Sequence, residues 1–214
     1  MEISGFQYLA MPGALLVLLT SMLLLAVQDW RVCLALLAIQ YVGVFVLVAI
    51  HWPMIIALTK LVAGWIATAL LVTAISGTPG LAHGVDQTPL KSTQFRSMPG
   101  LSISAWIFRI LTAAMIVLVV FTMAPLTAEW IPTIQFEEVV GALILLCLGL
   151  LHLGLTAIPL RVVIALLTTL SGFEIIYAAV EVSTLVAGLL AVVTLGLALI
   201  GAYFQIASVG EVET

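Results

Sequence analysis

The stretch Leu160-Arg-Val-Val-Ile-Ala-Leu-Leu-Thr-Thr-Leu-Ser-Gly-Phe-Glu-Ile-Ile-Tyr-Ala-Ala-Val180 reads as a helix crossing a membrane, and it sets one carboxylate, Glu174, among apolar neighbours. Covering roughly 30 Å of hydrocarbon takes about 20 largely apolar residues, which this stretch supplies. An ionisable side chain placed there costs roughly 2.5–3.5 kcal/mol on insertion scales, so Glu174 is a functional candidate before anything else is known.

The rest of the chain has the same character. Of its 214 residues, 64% are hydrophobic and only 7% charged, with a mean hydropathy of +1.35. That composition excludes an ordinary soluble domain and describes an integral membrane protein in a lipid bilayer. The six basic residues are too few and too scattered for a nucleic-acid surface, and the net charge of −4 is carried mostly by loops and the acidic tail with Glu211 and Glu213. Cys33 and Cys147 fall in apolar runs and form neither a CxxC pair nor a metal cluster. No positive charge precedes the first apolar run, so the expectation is that the first helix is not part of a cleaved signal peptide.

Seven apolar runs can be counted, at about 9–28, 32–50, 53–76, 104–125, 138–157, 161–180 and 183–205. They are separated by Asp29-Trp30-Arg31, His51-Trp52-Pro53, Ile158-Pro159-Leu160-Arg161 and Glu181, and by one sizeable loop at 77–98 with Asp86, Lys91 and Arg96. Trp30, Trp52, Trp106 and Trp130 all land at span ends, where an indole favours the headgroup region. With alternating spans, Arg31, Lys91, Arg96, Arg109 and Arg161 share one side, and Glu129, Glu137, Glu138 and Glu181 the other. The positive-inside rule then predicts an N-terminus outside and a C-terminus in the cytoplasm of a cell inner (plasma) membrane. Arg109 lies inside the fourth run near its cytoplasmic end, where it can snorkel.

An internal repeat is also legible. Gly13-Ala-Leu-Leu-Val-Leu-Leu resembles Gly141-Ala-Leu-Ile-Leu-Leu-Cys, Arg31-Val-Cys-Leu-Ala-Leu-Leu resembles Arg161-Val-Val-Ile-Ala-Leu-Leu, and Leu61-Val-Ala-Gly-Trp-Ile-Ala resembles Leu185-Val-Ala-Gly-Leu-Leu-Ala, in the same order. The expected fold is therefore an all-α membrane protein of seven transmembrane helices, built as two parallel three-helix repeats joined by a connector helix. Residues 1–78 would form the first repeat, 79–101 a cytoplasmic loop, 102–126 the connector and 127–214 the second repeat.

Glu174 lies thirteen residues beyond Arg161, about 20 Å along a helix, and Lys60 lies about 10 Å from the opposite boundary of the third run, so the two are expected at comparable depth. Burial disfavours the charged form of each and pairing favours it, so both suit the uptake and release of protons; the plainer roles are a packing contact for Glu174 and a snorkelling side chain for Lys60. Glu181 is two turns beyond Glu174 on the same face, with Tyr177 between, and reads either as the mouth of a polar track or as a solvated helix end. Gln40 is a polar residue in the second span, one turn before Val44, the repeat equivalent of Glu174. His152 lies in the fifth span, where it could relay protons or simply bond a neighbouring helix.

Several membrane chemistries drop out. A haem between helices needs two histidines within spans, and only His152 qualifies. The last span holds no lysine for a retinal Schiff base, and no HExxH, GxSxG or P-loop pattern occurs. Neither a cofactor nor a metal site is expected.

The run Gly172-Phe-Glu-Ile-Ile-Tyr-Ala-Ala, following an Arg-bearing short turn, resembles the second helix of subunit K of respiratory complex I. The whole chain, with Gln40 in the second span and Thr59-Lys60 in the third, resembles component E of the hydrogenase 4 and formate hydrogenlyase type, whose C-terminal half is like subunit K. The resemblance implies a non-catalytic membrane subunit beside antiporter-like partner subunits, with Glu174 in a proton-conducting polar axis. The last helix of these families usually carries a second acid, whereas residues 184–204 have none. The next station would then be Lys60, His152 or a residue of another subunit. A structural bridging subunit and a free-standing small transporter are the alternative readings.

The topology is open to a direct test. Reporter fusions at Gly84 and at Thr214 are both expected to read cytoplasmic; disagreement between them would overturn the count of seven spans.

Overall fold

In the computed structural model, residues 3–77, 101–131 and 133–210 are described, with side chains for 8–77, 106–131 and 133–207. The 79–101 loop with Asp86, Lys91 and Arg96, and the tail with Glu211 and Glu213, lie wholly or almost wholly outside these residues. The described chain is all helix. Its helices are α1 (Ile3–Ala26), α2 (Trp30–Val48), α3 (Met54–Ser76), α4 (Leu101–Trp130), α5 (Phe136–Leu155), α6 (Pro159–Val180) and α7 (Thr184–Gly210). All seven are long and apolar enough to cross a bilayer. Helix is what such a sequence must form there, since hydrocarbon offers the backbone no hydrogen-bond partner except itself.

The helix starts have local causes. Pro159 occupies the first turn of α6, where its missing N–H leaves no bond unmade, and Pro53 immediately precedes α3. The fourth helix differs from expectation: the apolar run ends at Pro125, yet α4 continues through it to Trp130. A single proline removes one donor, and the surrounding turns can carry a membrane helix past it.

Each helix packs on its neighbour in sequence, except that α3 and α4 do not pair closely. Further contacts join α1 to α5, α2 to α6, and α3 to α7. The buried clusters draw on both halves of the chain: Leu34, Leu37, Tyr41 and Leu71 pack with Leu160, Ile164 and Leu167, and Val44, Leu47 and Ala57 pack with Ala142, Ile175 and Ala178. By contrast α4 lies at the margin, and most of its side chains, Leu111, Met115 and Leu118 among them, face outward.

The closest approach is between α5 and α6. A Cβ on Gly172 would sit 2.7 Å from the Ala142 carbonyl oxygen and 2.8 Å from the Leu146 nitrogen. Glycine is thus what lets the two backbones touch at the level just below Glu174.

The two ends are tied by side chains reaching from turn to turn. At one end the Trp52 indole donates to the Glu181 carbonyl at 3.1 Å, and Thr133 donates to the Ala179 carbonyl at 2.9 Å. At the other, Arg161 donates to the Gln28 carbonyl at 2.7 Å. Of the four tryptophans placed at span ends, Trp30 and Trp52 stand at helix ends but turn into the bundle and are buried, whereas Trp106 and Trp130 are exposed. The two buried indoles fill gaps beneath short turns, which a ring of that size does better than any aliphatic side chain.

Gly172→Ala is expected to lower stability by about 1–3 kcal/mol, because a backbone contact cannot yield as a side chain can. Gly188→Ala, where an added Cβ meets nothing within 4 Å, should be neutral or gain up to about 1 kcal/mol from helix propensity. Thermal unfolding of the two variants in detergent compares them directly.

Candidate functional site

Lys60 on α3 and Glu174 on α6 meet inside the bundle. Lys60 is six residues from the start of α3 and Glu174 six from the end of α6, so each lies about 9 Å in from the same end. Lys60 Nζ donates to Glu174 Oε1 at 2.5 Å and to Thr194 Oγ1 at 2.7 Å. Its charge also lies 5.7 Å from the ring centre of Tyr41, a cation–π distance. Exposure of Lys60, Glu174 and Thr194 is 5%, 1% and 0%. Four helices, α2, α3, α6 and α7, thus converge on one ammonium.

Local sequence explains the convergence. Gly64, one turn beyond Lys60, lies against the Tyr41 ring so closely that a Cβ would fall 2.4 Å from it. Without that glycine α3 could not approach, and Lys60 would not reach α6. The Thr194 hydroxyl donates a hydrogen bond to the Leu190 carbonyl, leaving its oxygen free to accept one from Lys60.

The pair is neutral as a whole, which is what lets two ionisable groups stay in a low-dielectric interior. Passing a proton from Nζ to Oε1 turns it into an amine beside a carboxylic acid with no net charge moved through the membrane. Glu174 Oε2 is buried and has no hydrogen-bond partner among the described residues, so it is the oxygen able to exchange a proton with a third group.

Other polar groups lie farther along the same interior. The Tyr41 hydroxyl lies beside Ser171 and within electrostatic reach of Glu174. Gln40 Oε1 and Thr168 Oγ1 are buried without partners. Thr168, Ser171 and Glu174 occupy α6 at intervals of three, and Thr168 and Ser171 are buried with Glu174.

The other candidates lie elsewhere. His152 is 5% exposed near the Arg161 end of α5, and its Nε2 has no partner among the described residues, so no bond to a neighbouring helix is present there. Gly149 packs on Thr169; His152, three residues nearer the Arg161 end, therefore lies about 12 Å from Glu174 along the helices. The charges acting on it are Arg161 and Arg109. Glu181 ends α6 with its side chain exposed, and Tyr177 is half-buried, stacked on Phe173 at 6.2 Å.

One constellation escaped the sequence reading. Glu138, expected at a loop, is fully buried, and its Oε2 lies 2.9 Å from His51 Nε2 and accepts the Gln135 N–H at 2.9 Å. The signal that existed was weak: a histidine in the second turn and an acid at the start of the fifth apolar run, on the same predicted side.

An apolar cleft between α1, α4 and α5, lined by Met11, Leu15, Phe121 and Val140, also takes in Glu137 beside Glu138 but neither Lys60 nor Glu174. Among the described residues no group of three or more His, Cys, Asp or Glu side chains could hold a metal. Comparison with known protein families, curated proteins and solved structures gives no match.

Lys60→Met leaves Glu174 as an unpaired buried acid and is expected to cost about 3–5 kcal/mol. The double variant Lys60→Met with Glu174→Leu should recover most of that loss. Chemical unfolding in mixed micelles measures the cycle, and strict additivity would show that the two side chains are not coupled in the membrane.

Proposed function

We propose that the protein is a non-catalytic membrane subunit that passes protons, or sodium ions, through Lys60 and Glu174 within a complex-I-like respiratory or hydrogenase-type assembly. The observation that carries this reading is the buried Lys60–Glu174 ion pair, with one carboxylate oxygen still unpartnered. Ionisable groups at membrane depth mark ion pathways more often than they serve packing. Support also comes from the resemblance of the Gly172-Phe-Glu run to subunit K of complex I. In this reading Lys60, rather than an acid in α7, is the group next to Glu174.

Partners fit the outward-facing apolar surfaces of α4 and α7, where Leu111, Leu118, Leu185 and Leu199 are exposed. Antiporter-like subunits would seat there, with lipid over the remainder. The three-helix repeat, with α4 as its connector, is favoured by the contacts of α1 with α5, α2 with α6 and α3 with α7, the pairing an axis along the membrane normal produces. The Arg31 and Arg161 end would face the cytoplasm of the plasma membrane.

A second reading rests on the same ammonium. Lys60 clamps α3, α6 and α7 together, which is also what a purely structural bridging subunit needs.

Glu174→Gln separates the two. The amide keeps the shape and a hydrogen-bond acceptor for Lys60 but cannot carry a proton. In vesicles holding the whole assembly, proton movement is expected to fall by about a hundredfold or more while assembly and electron transfer between the redox partners remain. Pumping at the normal rate would leave the bridging reading in front.

A further inference from the structure

His51 and Glu138 are brought together by elements the ion pair does not use. His51 stands in the turn between α2 and α3 with its side chain 19% exposed, and Glu138 is in the first turn of α5 with none of its surface exposed. Reaching back to the Gln135 N–H is a helix-capping contact, and one carboxylate oxygen is enough for it. Capping does not explain why a histidine from another segment bonds the same oxygen, nor why the carboxylate is sealed from the surface. Its Oε1 is buried and has no partner among the described residues. A fully buried acid with an unpartnered oxygen, joined to a partly exposed imidazole, has an inner face and an outer face.

Its place in the bundle gives the two faces a use. Glu138 is about 3 Å into α5, and Glu174 about 9 Å into α6, from the same end. Between them lies an apolar layer that includes Val44, Leu47, Ala142, Ile175 and Ala178. Two of these are alanines, and Gly141 adjoins them. The other charged groups at this end of the surrounding described elements are Glu129 on α4, Glu137 on α5, Glu181 at the end of α6, and Lys60 on α3, which is held by Glu174.

We propose that His51 and Glu138 form a second proton-transfer site, in series with Lys60 and Glu174, through which protons exchange with the aqueous phase at the end bearing the 49–53 and 181–183 turns. This rests on the reading of Lys60 and Glu174 as a proton station. For a proton leaving the interior, the Glu138 carboxyl gives its proton to Nε2, becoming a carboxylate, and the imidazolium so formed releases the Nδ1 proton to water. The ring is left protonated on Nε2, and its rotation or tautomer exchange in the turn resets it. Uptake runs the same steps backwards. The apolar layer separates the two stations at rest, so a proton crosses it only when the helices admit water.

The test uses vesicles holding the whole assembly, with Glu138→Gln, His51→Ala and Glu174→Gln compared at equal abundance. Glu138→Gln keeps an acceptor for the Gln135 N–H, and His51→Ala lies in a surface turn. Both are expected to slow proton movement about tenfold or more, and imidazole added at rising concentration should restore the His51→Ala rate to a plateau. Normal rates in both variants while Glu174→Gln is inactive would overturn the second site and leave the first standing. Slow rates that imidazole does not restore would overturn it too, making the pair a structural latch. A Glu174→Gln assembly that pumps normally would instead remove the first station, and the series arrangement with it.

Discussion

Inside a bilayer no water is present to solvate a charge, so Lys60 and Glu174 can both be ionised only by solvating each other. Much of the architecture follows from that requirement. Thr194 and the Tyr41 ring complete the surroundings of the ammonium, and Gly64 lets α3 come near enough to Tyr41 for this to happen. Gly172 plays the same part for α6 against α5, two residues from the carboxylate. The glycines are spacers that fix the distance at which one salt bridge closes.

The ends of the bundle are held by a different chemistry. There the bonds run from a side chain to a backbone carbonyl: Trp52 to Glu181, Thr133 to Ala179, Arg161 to Gln28. Each satisfies a group that a helix end leaves open. Short turns fixed in this way keep the helices in register, so that groups at equal depth on separate helices stay opposite one another. The ion pair and the His51–Glu138 contact both depend on that register.

The seven helices were legible because hydrocarbon demands long apolar runs, and an apolar run can be counted without knowing its neighbours. The Lys60–Glu174 depth match was legible for the same reason, since the helix rise converts sequence position to depth. Which side of a helix faces inward was not. Nearly every residue is apolar, so the pattern that separates core from surface in a soluble helix is missing. The level of Trp30 and Trp52 at span ends was therefore readable, but not that both rings turn into the bundle. Glu138 was hidden by its position: an acid in a first helical turn usually faces solvent, and only the packing of the α2–α3 turn over α5 buries it. His152 carried no distinguishing pattern at all.

The partners of the ion pair are 114 residues apart in the chain, which has a consequence for how the protein is made. At about 5–20 residues per second, α3 enters the membrane on the order of ten seconds before α6 is synthesised. During that interval Lys60 has no carboxylate to neutralise it and must reach for the headgroups along its own stem. Until Glu174 arrives, the bond that ties α3 to α6 cannot form. A chain cut short before α6 would carry an orphan lysine in its membrane, which makes the salt bridge a chemical mark of a finished chain as well as part of its interior.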